Sequence, residues 1–134
     1  KGITLRDGND CTIAATGITV KMALDAAEKL QQDGISCRVI DCFTIKPIDK
    51  DLLEKAARET GGIVTCEEHN ILGGFGSAVS EVVSESYPVP IRRIGAQDMF
   101  GESARDGEIH QLFEKHGITS INIEKNVKDI RSKQ

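Results

Sequence analysis

Apolar positions along the chain follow two rhythms that alternate from the first residues to the last. Ile3-Thr4-Leu5-Arg6 and Cys11 to Ala15 are short β-prone runs, and the turn formers Asp7-Gly8-Asn9-Asp10 between them predict a hairpin. From Gly17 the spacing lengthens: Val20, Ala23, Leu24, Ala27 and Leu30 make one apolar stripe of helical period, stopped near Gly34. Arg38-Val39-Ile40-Asp41 reads as a strand. Pro47 disfavours the helical region for Lys46 and keeps that stretch extended, and Asp49 is placed to cap a helix carrying Leu52, Leu53, Ala56 and Ala57. Gly61-Gly62 ends it, and Ile63-Val64-Thr65-Cys66 is a short apolar strand of the kind buried on both faces. A loop from Glu67 leads into a helix bearing Phe75, Ala78, Val79, Val82 and Val83. Pro88-Val89-Pro90 breaks that helix, Ile91 to Ile94 forms the last strand, and Gly95 opens a polar loop to about Asp106. Two helices close the chain, one marked by Ile109, Leu112 and Phe113, the other by Ile123, Val127 and Ile130 with Thr119 as its N-cap.

Strands alternating with helices in this way imply βαβ units with right-handed crossovers. The fold class expected is α/β in three α/β/α layers: a mostly parallel five-stranded sheet covered on both faces, with one antiparallel strand contributed by the opening hairpin. Residues 1–134 make a single domain, because no repeat, low-complexity stretch or long linker divides them, and 39% hydrophobic residues suffice for a core at this length. The chain opens with Lys1 rather than Met, and Lys1-Gly2 is too short to show a targeting segment, so the chain is expected to be a piece of something longer.

Composition then removes whole classes of function. Seventeen basic against 21 acidic residues, a net charge of −4, argue against a sequence-independent grip on nucleic acid, which needs clustered cations to displace phosphate counterions. The one basic concentration, Lys125, Lys128, Arg131 and Lys133, suits the negative end of a solvated final helix. Aromatics are only 4% and Trp is absent, which leaves no stacking platform for bases. No apolar run approaches the roughly 18 residues of a membrane span. Cys11, Cys37, Cys42 and Cys66 form no C-x-x-C pair and fall in or beside apolar runs, so they read as core-filling thiols in a reducing, cytoplasmic setting.

In an open α/β sheet, ligands gather outside the carboxyl ends of the strands, here Thr16-Gly17, Asp41 to Thr44, Glu67 to Ser77 and Gly95 to Ser103. The third segment is the most unusual. Glu67, Glu68 and His69 follow a strand, and Gly73, Gly74, Gly76 and Ser77 open the next helix, where free amides can receive an anion. The spacing matches neither G-x-G-x-x-G nor a Walker A motif, so tight approach of helix to sheet or to a neighbouring subunit competes with a small-anion regulatory site. A metal site is not expected, since His110 and His116 fall on different helix faces and neither is near His69 in sequence. Asp7-Gly8-Asn9-Asp10 is explained by turn chemistry, and Ser103 lacks the elbow context of a nucleophile.

At three places the chain resembles a known family. DCFTIKPID, EEHNILGGFGSAV, and GAQDMFGES followed by LFEKHGIT, in that order and spacing, are similar to the C-terminal domain of transketolases, especially the animal-like and split two-subunit forms. Deoxyxylulose-phosphate synthases and the beta chains of 2-oxoacid dehydrogenases share the fold and a Glu-Glu and Gly-Gly loop. Ala104 stands where many transketolases have Gly. The resemblance implies a parent enzyme that transfers a two-carbon ketol unit from a ketose phosphate to an aldose phosphate with thiamine diphosphate and magnesium. It also implies that cofactor and metal are held by other domains and that this domain contributes to dimer architecture. No catalytic, cofactor-binding or metal residue is carried over to this chain. The expected partners are the remaining transketolase domains or subunit and a second copy, with exposed apolar surface where they dock.

Overall fold

A computed structural model describes residues 2–42, 48–70, 74–96 and 109–134. Strands β1 (Ile3–Arg6), β2 (Cys11–Ala15), β3 (Cys37–Asp41), β4 (Ile63–Asn70) and β5 (Ile91–Ala96) form one sheet in the order β1-β3-β2-β4-β5. All neighbours pair in parallel except β1, which runs antiparallel to β3. The helices are α1 (Thr19–Gln32), α2 (Lys50–Thr60), α3 (Phe75–Ser86), α4 (Ile109–Lys115) and α5 (Ser120–Ser132).

Alternation along the central strand β2 divides the core in two. Cys11, Ile13 and Ala15 face a cluster built with Ala23, Ala27 and Leu30 of α1 and Ile123, Val127 and Ile130 of α5. Ala14 faces the other cluster, with Leu53 and Ala57 of α2 and Phe75, Val79 and Val83 of α3. The three layers expected from the sequence are therefore present, and the predicted stripes face the core, with Val20, Leu24, Leu52 and Ala78 half-buried at their edges. The caps follow the sequence too. Asp49 accepts from the Leu52 amide at 3.1 Å and Thr119 from the Asn122 amide at 3.1 Å, while Gly61 ends α2 in the left-handed region that its missing Cβ permits.

The hairpin does not form. Both edges of β2 are taken by parallel partners, so β1 pairs on the far side of β3. The Asp7-Gly8-Asn9-Asp10 segment crosses the amino end of β3 instead of folding β1 back on β2. Arg38, almost wholly buried, donates to Gly8 O at 3.2 Å and pairs with Asp7 at 3.2 Å and Glu59 at 2.8 Å. Asp10 accepts from the Ser36 amide at 2.7 Å and pairs with Arg131 at 3.3 Å. Gly8 lies so close to the Cys37 carbonyl and the Arg38 amide that a Cβ would overlap backbone atoms with no room to yield. Gly8→Ala is expected to cost about 2 kcal/mol by overpacking, read as a lower urea midpoint with an unchanged slope.

Two strands also run further than hydropathy indicates. β4 continues through Glu67, Glu68, His69 and Asn70, and β5 through Gly95 and Ala96, with Asn70 opposite Ala96 after an irregularity in the register. The end of the predicted loop from Asp41 to Thr44, most of the extended stretch around Pro47, the loop at 97–106 with Ser103 and Ala104, and Gly73 in the third segment lie outside the described residues.

Candidate functional site

From β2 the chain crosses by α1 to β3 on one side, then by α2 over β2 to β4 on the other. The crevice between the carboxyl ends of β2 and β4 is therefore the topological switch point, the usual place for a ligand in such a sheet. Thr16 and Gly17 leave β2 there, and Glu67 and Glu68 stand at the end of β4.

Thr19 ties these ends together. Its buried hydroxyl lies 2.6 Å from Thr16 O and 2.9 Å from Cys66 O, and accepts from the Thr16 amide at 3.2 Å. Gly17 takes a positive φ of 58°, a turn a side chain would strain, and the Glu68 carboxylate occupies the space its Cβ would need.

Glu67 and Glu68 are consecutive on a strand, so they address opposite faces of the sheet. Glu68 lies over the β2 to α1 turn. Glu67, 1% exposed, turns toward α3, where its two carboxylate oxygens accept from the Phe75 amide at 3.0 Å and the Gly76 amide at 2.7 Å. Gly74 is the N-cap of α3 and has no side chain to do this, so the cap comes from the preceding strand. A carboxylate there also suits the positive end of the helix.

Two of the amides in the segment offered to an external anion, those of Phe75 and Gly76, thus hold an internal carboxylate. Gly76 is pressed against the sheet: a Cβ would meet Thr65 Oγ1 at 2.9 Å and Arg93 Cδ at 3.0 Å. Ser77, one position on, accepts from Arg93 Nη1 at 3.1 Å. Of the residues singled out in the sequence, Glu67, Glu68, Gly76 and Ser77 gather around the end of β4 and the start of α3, His69 is placed there by its backbone, and Gly74 caps the helix. Thr16, Gly17, Thr19 and Arg93 complete the arrangement. The capping role of Glu67 was readable only indirectly, as a helix starting on glycines with no capping side chain of its own.

The nearest thiol offers no nucleophile. Burial pushes Cys66 up to about 12, and the neighbouring Glu67 charge adds to the rise against the opposing hydrogen bond from Thr19. Cys11, Cys37 and Cys42 are raised to about 12, chiefly by burial, and all four are unbridged. Cys37 and Cys42 pack into opposite core clusters, as their odd spacing requires. Among the described residues no three His, Cys, Asp or Glu side chains are grouped as a metal would need, and no helix is long and apolar enough to cross a membrane.

Fold and site together define a doubly wound α/β domain that carries Glu67 and Glu68 at the carboxyl end of β4, one capping α3 and the other beside Gly17. Residues 1–123 match the family model described as transketolase, C-terminal domain, and the chain belongs to that family. It is 45% identical over 123 residues to the 6-deoxy-6-sulfo-D-fructose transketolase subunit of Clostridium sp. (strain MSTE9), covering 92% of this chain and 37% of that protein. It is 41% identical over 131 residues to the 1-deoxy-D-xylulose-5-phosphate synthase of Heliobacterium modesticaldum, covering 97% of this chain and 20% of that one. A solved structure titled split gene transketolase, inactive beta4 tetramer, superimposes with a TM-score of 0.90 at 45% identity, over 98% of this chain and 42% of that one. The chain therefore spans less than half the length of these relatives.

Proposed function

We propose that this domain is an assembly piece of a transketolase, and that the ketol-transfer chemistry, with its thiamine diphosphate and magnesium, belongs to other domains or to a partner subunit. The observation that carries this reading is the match to a split transketolase over nearly the whole of this chain and less than half of that one. The switch point supports it. A diphosphate entering there would meet the carboxylates of Glu67 and Glu68 and find the Phe75 and Gly76 amides already engaged, so these residues do not fit the group.

The exposed surface supports the assembly role. Ile3 stands opposite Asp41 at the carboxyl end of β3, Ile18 follows β2, and Ile121 lies in the first turn of α5. They are 51%, 53% and 69% exposed. The opposite end of α5 is fixed at the amino ends of the strands, where Arg131 meets Asp10 and Gln134 meets Gly61. These isoleucines therefore share the end of the domain that also carries Glu68 and His69, and that end is the docking surface of this reading. Ile18→Ser with Ile121→Ser is expected to weaken association of the parent enzyme at least tenfold, measured by sedimentation velocity, with the unfolding midpoint of the domain unchanged. Undiminished association would remove this surface from the interface.

A second reading, the same domain in a deoxyxylulose-phosphate synthase, is favoured by the 41% identity to such an enzyme. Product analysis separates the two, because the second reading requires formation of 1-deoxy-D-xylulose 5-phosphate, the product in that relative's name, whereas a transketolase exchanges a ketol unit between sugars.

A further inference from the structure

We draw no further inference here: the strongest candidate, the apolar cleft of about 290 Å³ lined by Met22, Phe113, Ile118 and Ile121 at the start of α5, belongs to the assembly surface already proposed, and nothing in the structure shows what covers it.

Discussion

Glu67→Ala is expected to destabilise the domain by about 4 kcal/mol, on the basis of roughly 1.5 to 3 kcal/mol for each hydrogen bond to a charged group. The carboxylate is buried and accepts from two amides that open α3, Phe75 N at 3.0 Å and Gly76 N at 2.7 Å. Truncation leaves both donors without that acceptor, in a place that packing against Thr65 and Arg93 makes hard for a replacement to reach. Glu67→Gln is the sharper control, since it keeps the volume but retains only one accepting oxygen and turns an NH2 toward a backbone N–H. It is expected to lose about 2 kcal/mol or more. Urea unfolding of the three proteins checks the series, and a loss below about 1 kcal/mol for the alanine variant would mean that Glu67 does not cap α3.

The second large effect is at Phe75, which is the largest fully buried side chain among the described residues and the first residue of α3. It packs in the cluster of Ala14, Ile40, Leu53 and Val79, which joins α2 and α3 to the sheet. Phe75→Ala removes its transfer free energy and leaves a cavity that close-packed neighbours fill only in part, a cost of about 4 kcal/mol. For a chain of this size that lowers Tm by roughly 15 °C. Phe75→Leu keeps most of the volume and is expected to lose less than half as much, so calorimetry on both variants separates a packing role from a general intolerance to change. Because Glu67 and Phe75 meet through the same amide, the double variant should lose less than the sum of the two.

Much of the fold was legible because local chemistry and burial agree. Asp49 and Thr119 cap the helices their spacing marks, Gly61 ends α2, and the apolar stripes on α1 and α5 face one layer of the core. What local pattern could not carry is pairing. Asp7-Gly8-Asn9-Asp10 has the composition of a hairpin turn, but strand order is decided by which edges of β2 are free, and neither is. Gly8 serves close backbone approach to β3, and Asp7 and Asp10 bind Arg38, Ser36 and Arg131. The polar extension of β4 was hidden for a related reason. Glu67 to Asn70 carry no hydrophobic signal, and their strand character comes from the register with β5, where Asn70 stands opposite Ala96.

Topology points to the carboxyl ends of the strands as the candidate site, and Glu67, Glu68, Gly76 and Ser77 gather there, yet how the amides at that end are used was not visible in the residue types. Glycines before a helix suggest an open anion cradle. Whether that cradle is filled depends on the direction of one side chain eight and nine positions upstream of the amides it reaches. Strand alternation supplies the direction: once Glu67 is placed on β4 and turned toward α3, Glu68 must lie on the opposite face over Gly17.

The central claim is that this domain assembles a transketolase without performing its chemistry. Its most direct test is a ketol-transfer assay, with thiamine diphosphate and magnesium, on residues 1–134 alone and on the parent enzyme with and without them. The account predicts turnover by the intact parent, a large loss when residues 1–134 are removed, and none from the domain by itself. Ketol transfer by the isolated domain would contradict it and would move the chemistry to the end of β4, beginning with Glu67 and Glu68.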